Sequence, residues 1–313
     1  MRGYDLSIVI VNWNVREELR NCLASIYRGL RGELPSEVFV VDNASRDGSV
    51  EMVREEFPLA KLVENRMNLG FTAANNQAIR RSQGRYVLLL NPDTEVVGDA
   101  LARMVDYMDT HPEVGLIGPQ LLASDGSVQS SRRRFPSLAT AFLESTVLQR
   151  WFTSSRVIRH YYVLDRSDEE LQAVDWVAGA CLLVRREAIE DVGLMDEDFF
   201  MYSEELDWCY RIKRAGWQII YFPEAKIIHH EGRSSQQEVP ARHIYFQESK
   251  ITFFRKHHGL WQARALRAFL LLTYLFQLCE EALKWLVGHK RPLRRQRIAT
   301  YCQVLGSGLR SKG

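Results

Sequence analysis

The chain has 313 residues, 46% of them hydrophobic and 26% charged, the proportions of an ordinary globular protein; a disordered or fibrous chain is excluded. The 41 Lys and Arg against 39 Asp and Glu leave a net charge of +2, which does not support nucleic-acid binding through bulk charge. Five widely spaced cysteines without a CxxC pair, Cys22, Cys181, Cys209, Cys279 and Cys302, argue against a disulfide framework or structural zinc and for a reducing compartment. The first residues run straight into an apolar strand, with no basic and then hydrophobic leader, so no signal peptide is expected.

The elements of the first half alternate. Leu6–Val11 is an apolar, β-branched run of strand length. Asn14, followed by Glu17, suits a capping box for a helix whose Leu19, Cys22, Leu23 and Ile26 share one face. Then come a strand at Val38–Val41, a helix at Ser49–Phe57, a short strand at Lys61–Glu64, a helix at Thr72–Ser82, a strand at Tyr86–Leu90, a helix at Asp99–Thr110 and a strand at Val114–Gly118. Continuous apolar strands alternating with amphipathic helices predict an α/β fold with a parallel sheet covered on both faces. Ligands of such sheets bind beyond the carboxyl ends of the strands. Here those ends carry Asn12–Asn14, Asp42-Asn43 and Asn91-Pro92-Asp93. One such carboxylate could simply cap a turn; three polar strand ends on one edge point to a site. No GxGxxG or GxxxxGK[ST] follows the first strand, which argues against a dinucleotide dehydrogenase or a P-loop enzyme. Phosphates would then need a cation held by a strand-end carboxylate, with Asp93 the candidate and Pro92 stiffening its turn.

Val-Asp-Asn-Ala-Ser at 41–45, Asn-Leu-Gly-Phe at 68–71, Asn-Pro-Asp-Thr at 91–94 and Glu-Glu-Leu-Asp at 204–207 occur in that order. Together they resemble the family 2 glycosyltransferases of the GT-A fold, especially the bacterial rhamnosyltransferases of cell-surface polysaccharides, over about residues 5–260. The resemblance implies a Rossmann-like mixed, mostly parallel sheet flanked by helices, with a C-terminal helical extension. It implies a nucleotide-sugar donor, inverting transfer and a divalent cation, Mg²⁺ or Mn²⁺. Asp42 matches the carboxylate that contacts the base, flanked by Val11 and Trp13. Asp93 matches the metal-binding acid; Asn91 stands where that motif has its first acid and lowers the charge of the site. Asn68, Asn75 and Asn76 fall on the segment lining the donor pocket in relatives, although local turns and caps would also use them. The implied division is a nucleotide-sugar-binding half at 1–125, an acceptor and catalytic half at 126–260, and an amphipathic, basic extension at 261–313.

In the second half, Asp125-Gly126 signals a hairpin turn. Arg132–Arg134 are either a solvated patch or a site for phosphates of donor or acceptor. A helix is expected at Leu138–Trp151, and one buried strand at Val174–Val184 with Gly179 inside it, a position that permits close approach; in the family this segment borders donor sugar and acceptor. Trp176 could stack on a sugar or sit in the core. Ser203 suits an N-cap, with Glu204 and Glu205 in the first helical turn. Inverting transfer needs a carboxylate to deprotonate the acceptor hydroxyl. Glu205 matches the family's base, with Glu204 and Asp207 as supporting acids. Trp217–Phe222 and Lys226–His229 read as two strands separated by Pro223. In relatives a histidine at the end of this strand completes the metal site; the resemblance favours His229 over His230 for it, with Gly232–Ser234 as the adjoining loop. Glu248–His258 reads as a polar helix and its end.

Ala268–Cys279 is too short an apolar run to span a bilayer. It is expected to lie in the interface as an amphipathic helix, with the Lys290–Arg297 cluster on anionic headgroups, or else to pack on protein, including a second copy in a homodimer. The expected location is cytoplasmic, at the inner face of the cell membrane, with a glycan or polyprenyl-linked acceptor. The resemblance implies L-rhamnose, from dTDP-rhamnose, as the sugar transferred. The alternatives are a UDP-sugar transferase and a non-catalytic scaffold of the same fold; a nucleotidyltransferase would want a Gly-rich basic loop after the first strand, where Asn12-Trp13-Asn14 stands.

Overall fold

The computed structural model describes residues 3–30, 34–144, 146, 148, 152, 155–230 and 239–310. The chain forms two compact units, one of Met1–Phe135, Tyr162–Glu197 and Glu204–Ser234, the other of Pro136–Tyr161, Asp198–Ser203 and Ser235–Gly313. The first unit begins with β1 (Leu6–Asn12), α1 (Arg16–Leu30), β2 (Ser36–Asp42), α2 (Ser49–Glu56), β3 (Lys61–Glu64), α3 (Phe71–Ile79), β4 (Tyr86–Leu90) and β5 (Thr94–Val96). It continues with α4 (Ala100–Thr110), β6 (Val114–Leu122), β7 (Val128–Gln129) and β8 (Arg132–Arg133). The second unit contributes α5 (Leu138–Leu143) and α6 (Arg156–Tyr161). The first resumes with β9 (Gln172–Ala173), β10 (Trp176–Val177), β11 (Cys181–Arg185), α7 (Arg186–Val192), α8 (Glu204–Arg214) and β12 (Gln218–His229). The second closes with α9 (Val239–His258), α10 (Leu260–Leu286) and α11 (Arg291–Ser307).

The main sheet runs β3-β2-β1-β4-β11-β6-β12-β5, with β7 added on β6 and β9 on β12. The β1–β2, β1–β4, β2–β3 and β6–β12 pairs are parallel, whereas β11 runs antiparallel between β4 and β6. This is the mixed, mostly parallel sheet of the expectation. The alternation within β1 explains the two-sided cover. Ile8 and Ile10 join a core with Leu19, Cys22, Leu23 and Ile26 of α1, whereas Val9 and Val11 join another with α3 and α8, including Trp208 and Ile212. The units cut across the boundaries expected at 125 and 260, because β11 and β12 complete the sheet that β1–β6 begin.

Three expected elements differ, each for a physical reason. Val174–Val184 is two strands rather than one: β10 pairs with β8 in a separate small sheet, and the chain crosses at Ala178–Ala180 into β11. The two strands around Pro223 are one, β12, whose register on β6 jumps between Phe222 and Lys226, because proline has no N–H to give the ladder. The expected helix at Leu138–Trp151 is described as α5, which ends at Leu143; Trp151 and several of its neighbours lie outside the described residues.

In the second unit, α9 buries Phe253 and Phe254 and is less polar than expected. Between α10 and α11, Glu281 accepts two bonds from the buried Arg294, at 2.7 and 2.9 Å, and one from Arg297. These contacts take Arg294 out of the basic cluster expected to meet headgroups. The α10 positions Leu272, Leu275, Phe276, Leu283 and Leu286 are exposed and recur at helical spacing, while Leu266, Leu270 and Tyr274 are buried. Among the described residues no helix is long and apolar enough to cross a membrane.

Gly118 of β6 touches β10 so closely that a Cβ there would fall 2.7 Å from Val177 Cβ. Gly118→Ala is therefore expected to cost about 1–3 kcal/mol through overpacking, measurable as a lowered denaturation midpoint; an unchanged midpoint would mean the two sheets are not held at that distance.

Candidate active site

The donor edge grows from the register of β1 on β2, which sets Asn12 opposite Asp42. Both are buried. Asn12 Nδ2 donates to Asp42 Oδ1 at 2.9 Å, and Ser45 N donates to Oδ2 at 2.8 Å. The carboxylate is thus fixed by a side-chain amide and a backbone N–H. Asn12 Oδ1 is buried with no hydrogen-bond partner, a polar atom left at the strand end. Val11 belongs to the core and Trp13 is half-buried. Asn14 does not cap α1. Its backbone is left-handed at φ 52°, its Oδ1 accepts from Arg46 N, and α1 instead starts with Arg16 N donating to Asp47 Oδ2. Asn68 is exposed and closes a local turn by accepting from Gly70 N. Asn75 donates back to Phe71 O within α3. Asn76 is not directed at the donor edge: it donates to Met195 O and Glu197 Oε1 and accepts from Met195 N, tying α3 to the segment at 195–197.

The second group follows β4. Asp93 is buried, and the antiparallel register of β5 on β12 sets Thr94 opposite His229. His229 Nε2 lies 3.5 Å from Asp93 Oδ1. Its Nδ1 meets Gln129 Oε1 at 3.0 Å, and Gln129 Nε2 donates to His229 O at 2.8 Å. The amide orientation required by the second bond makes Oε1 the acceptor of the first. Nδ1 therefore donates to Gln129, and Nε2, the nitrogen left for a cation, is the one that faces Asp93. His230 is engaged elsewhere, with Ser124 Oγ and Glu95 Oε1. Asp93 and His229 offer a carboxylate and an imidazole; among the described residues no cluster of three or more metal-ligating side chains forms. Two protein ligands suit a cation that takes its other ligands from phosphates and water. Gly232–Ser234 lie outside the described residues.

The third group is the start of α8. Asn91 N donates to Ala180 O, which places the β10–β11 crossing beside the turn that carries Asp93. A Cβ on Gly179 of that crossing would lie 3.5 Å from Glu205 Cδ, so the side of the chain that glycine leaves bare faces the carboxyl group. Backbone N–H groups of Gly179, Glu205 and Leu206 favour the Glu205 carboxylate, as does the charge of Arg133. Burial outweighs them and raises its pKa above the ordinary carboxylate range. Burial and the neighbouring Glu205 charge push Glu204 well above that range. One oxygen of each, Glu204 Oε2 and Glu205 Oε2, is buried without a hydrogen-bond partner. Asp207 is fully buried and accepts from Arg211 Nε at 2.8 Å; Arg211 also donates to Val192 O and Leu194 O. It fastens α8 to the preceding loop. Tyr202 and Ser203, just before α8, are successive left-handed residues at φ 70° and 61°, a strained approach to the acid pair.

The three arginines separate. Arg132 is buried and paired with Asp168, and Arg134 with Asp165. Arg133 lies over the Tyr162 and Trp176 rings, 4.3 and 6.0 Å from their centroids. Trp176 donates its indole N–H to Arg134 O, a structural use. Sequence reasoning missed Gln129, which has no local signal because its partner lies 100 residues away.

The family model of glycosyl transferase family 2 matches residues 7–193. The chain belongs to the family 2 glycosyltransferases. It is 31% identical over 271 residues to an N-acetylglucosaminyl-diphospho-decaprenol L-rhamnosyltransferase of Mycobacterium tuberculosis, covering 82% of this chain and 87% of that protein. It is 29% identical over 178 residues to rhamnosyltransferase WbbL of Escherichia coli, covering 53% and 63%. The solved mannosyltransferase PcManGT of Pyrobaculum calidifontis, in complex with GDP-Man and Mn²⁺, superposes with a TM-score of 0.58 at 18% identity, covering 99% of this chain and 88% of that one. That likeness is one of fold, GT-A. The glycosyltransferase therefore presents a fixed aspartate at the end of β2, a carboxylate–imidazole pair after β4 and β12, and a carboxyl pair at the start of α8.

Glu204 holds its proton to higher pH when folded than when unfolded, so its contribution to stability falls as pH rises above the ordinary carboxylate value of about 4.3. Glu204→Gln keeps the neutral shape. Its thermal midpoint relative to the unsubstituted protein is expected to be nearly level at about pH 4 and to climb toward about pH 8; a flat difference would place the carboxyl group in water.

Proposed function

We propose that the protein transfers L-rhamnose, with inversion, from dTDP-rhamnose to a polyprenyl-diphosphate-linked glycan in cell-envelope polysaccharide synthesis. The observation that carries the reading is Glu205: a half-buried residue whose Oε2 is buried without a partner, facing the bare side of Gly179. The names of the two curated relatives, both rhamnosyltransferases and one acting on a decaprenol-linked sugar, support the choice of donor and acceptor.

In this reading Glu205 Oε2 takes the proton of the acceptor hydroxyl. The acceptor oxygen attacks the anomeric carbon from the face opposite the nucleotide, and the bond to the diphosphate breaks. Asp42 accepts the ring N–H of the thymine, with Val11 and Trp13 flanking the base, and Asn68 keeps the adjoining loop turned. Asp93 and His229 would hold the cation, assisted by the Asn91 amide oxygen. Mg²⁺ or Mn²⁺, when bound there, neutralises charge on the departing diphosphate. Glu204 supports Glu205 from the same helical turn, and Asp207 positions the helix through Arg211. The Gly179 backbone leaves room for the sugar.

The raised pKa of Glu205 makes the base lose activity as pH falls through a value above the usual carboxylate range. Glu205→Gln is expected to reduce transfer from dTDP-rhamnose by about 10²–10⁴-fold while keeping the thermal shift given by dTDP with Mn²⁺. Transfer at the unsubstituted rate would remove Glu205 from the role of base, and a shift by UDP but not dTDP would reassign the donor.

The exposed apolar positions of α10 and the exposed Lys290, Arg291 and Arg295 beside them support peripheral contact with the inner, anionic face of the cell membrane. Replacing Leu272 and Phe276 by Ser is expected to weaken binding to phosphatidylglycerol-containing vesicles about tenfold or more. Unchanged vesicle binding, with a dimer that falls apart in the variant, would assign the face to a second copy instead.

A further inference from the structure

We propose that Arg133 is the residue that binds the acceptor's diphosphate, holding the anionic group between sugar and lipid while the sugar's hydroxyl reaches Glu205. The inference deepens the reading of Glu205 as base and rests on it.

Placement supplies the first argument. In the small sheet Arg133 is opposite Trp176, and Ala178 N donates to Ser131 O. The next residue, Gly179, is the one whose bare side faces Glu205, a Cβ there falling 3.5 Å from Cδ. Guanidinium and carboxylate thus flank one stretch of three residues. An acceptor whose hydroxyl lies at Glu205 carries its first phosphate about one sugar length away, on the side of the crossing where β8 and β10 pair.

Geometry supplies the second. The guanidinium rests on the Tyr162 ring, with Trp176 as its second aromatic neighbour, and Nη1 donates to Ser130 Oγ and Arg132 O, both at 2.9 Å. The ring beneath it and the two Nη1 bonds hold the guanidinium in place, and a held, permanently charged guanidinium suits charge-assisted contact with phosphate oxygens. The two neighbouring arginines serve differently: Arg132 is buried against Asp168 and lies 5.0 Å from the Tyr221 ring centroid, and Arg134 pairs with Asp165. The charge of Arg133 already acts on Glu205, so the two groups share one electrostatic environment.

The donor's diphosphate is the other source of the same chemistry, and the test separates them. Two acceptors are compared: an N-acetylglucosaminyl diphosphate carrying a short alkyl chain, and the neutral alkyl N-acetylglucosaminide of equal chain length. The unsubstituted enzyme is expected to favour the diphosphate acceptor about ten- to a hundredfold in kcat/KM, chiefly through KM. Arg133→Ala removes most of that preference, and Arg133→Lys restores part of it. The ratio cancels any change in Glu205 basicity, since that change acts on both acceptors alike. A preference that survives Arg133→Ala overturns the proposal, and a loss of dTDP–Mn²⁺ affinity by the same factor assigns Arg133 to the donor. Calorimetric binding of the diphosphate acceptor, in the same variants, decides the matter where neither acceptor is turned over: weaker binding to Arg133→Ala sustains the proposal and equal binding overturns it. Transfer that persists in Glu205→Gln would count against the base alone, leaving the preference ratio to judge Arg133.

Discussion

Keeping a carboxyl group out of water next to backbone is expensive unless something replaces the lost hydration. At Glu205 the replacements are backbone N–H groups, including that of Gly179, and the charge of Arg133. Each comes from a different part of the chain, and the arrangement of the site follows from bringing them together. Gly179 must lie at a crossing between two sheets, β8 must pair with β10, and α8 must begin where the chain leaves two left-handed residues. The remaining imbalance is visible as burial that still outweighs these groups. That residue of strain is what a proton acceptor needs, since a fully satisfied carboxylate would have little affinity for a proton.

The donor side obeys a simpler rule. Parallel strands deliver their carboxyl ends to one edge, so Asp42 and the turn after β4 arrive together by construction. His229 does not arrive that way. It reaches Asp93 because β12 runs the length of β6 and then extends far enough to pair with β5. The jump in register around Pro223 lies within the β6 pairing, which resumes at Lys226–Ile228 just before His229, so the alignment of His229 depends on how many residues the bulge absorbs.

Much of this was legible in the residues. Apolar runs such as Leu6–Val11 and Tyr86–Leu90 have one reading, and the polar groups that end them mark the edge of the sheet. The order of four short motifs identified the family before any geometry was known. What stayed hidden was non-local. The Asp47 that caps α1 lies 31 residues from the N–H it accepts, and a local search settles on Asn14 instead. The apolar stretch Val174–Val184 carries no sign that it changes sheets, because burial in either sheet asks for the same side chains. Three arginines in a row look alike in sequence and are sorted only by Asp168, Asp165 and Tyr162, each from the loop after α6.

The antiparallel β11 also bears on how the chain is made. It fills the gap between β4 and β6, yet it is synthesised some 60 residues after β6 ends. At about 5–20 residues per second, the ribosome exposes two unpaired strand edges for several seconds before their shared partner emerges. Bare edges of this kind recruit other strands. During that interval the nascent sheet is most open to wrong pairing or to a chaperone, so synonymous changes that slow translation of residues 123–185 would prolong that exposure without altering a single side chain.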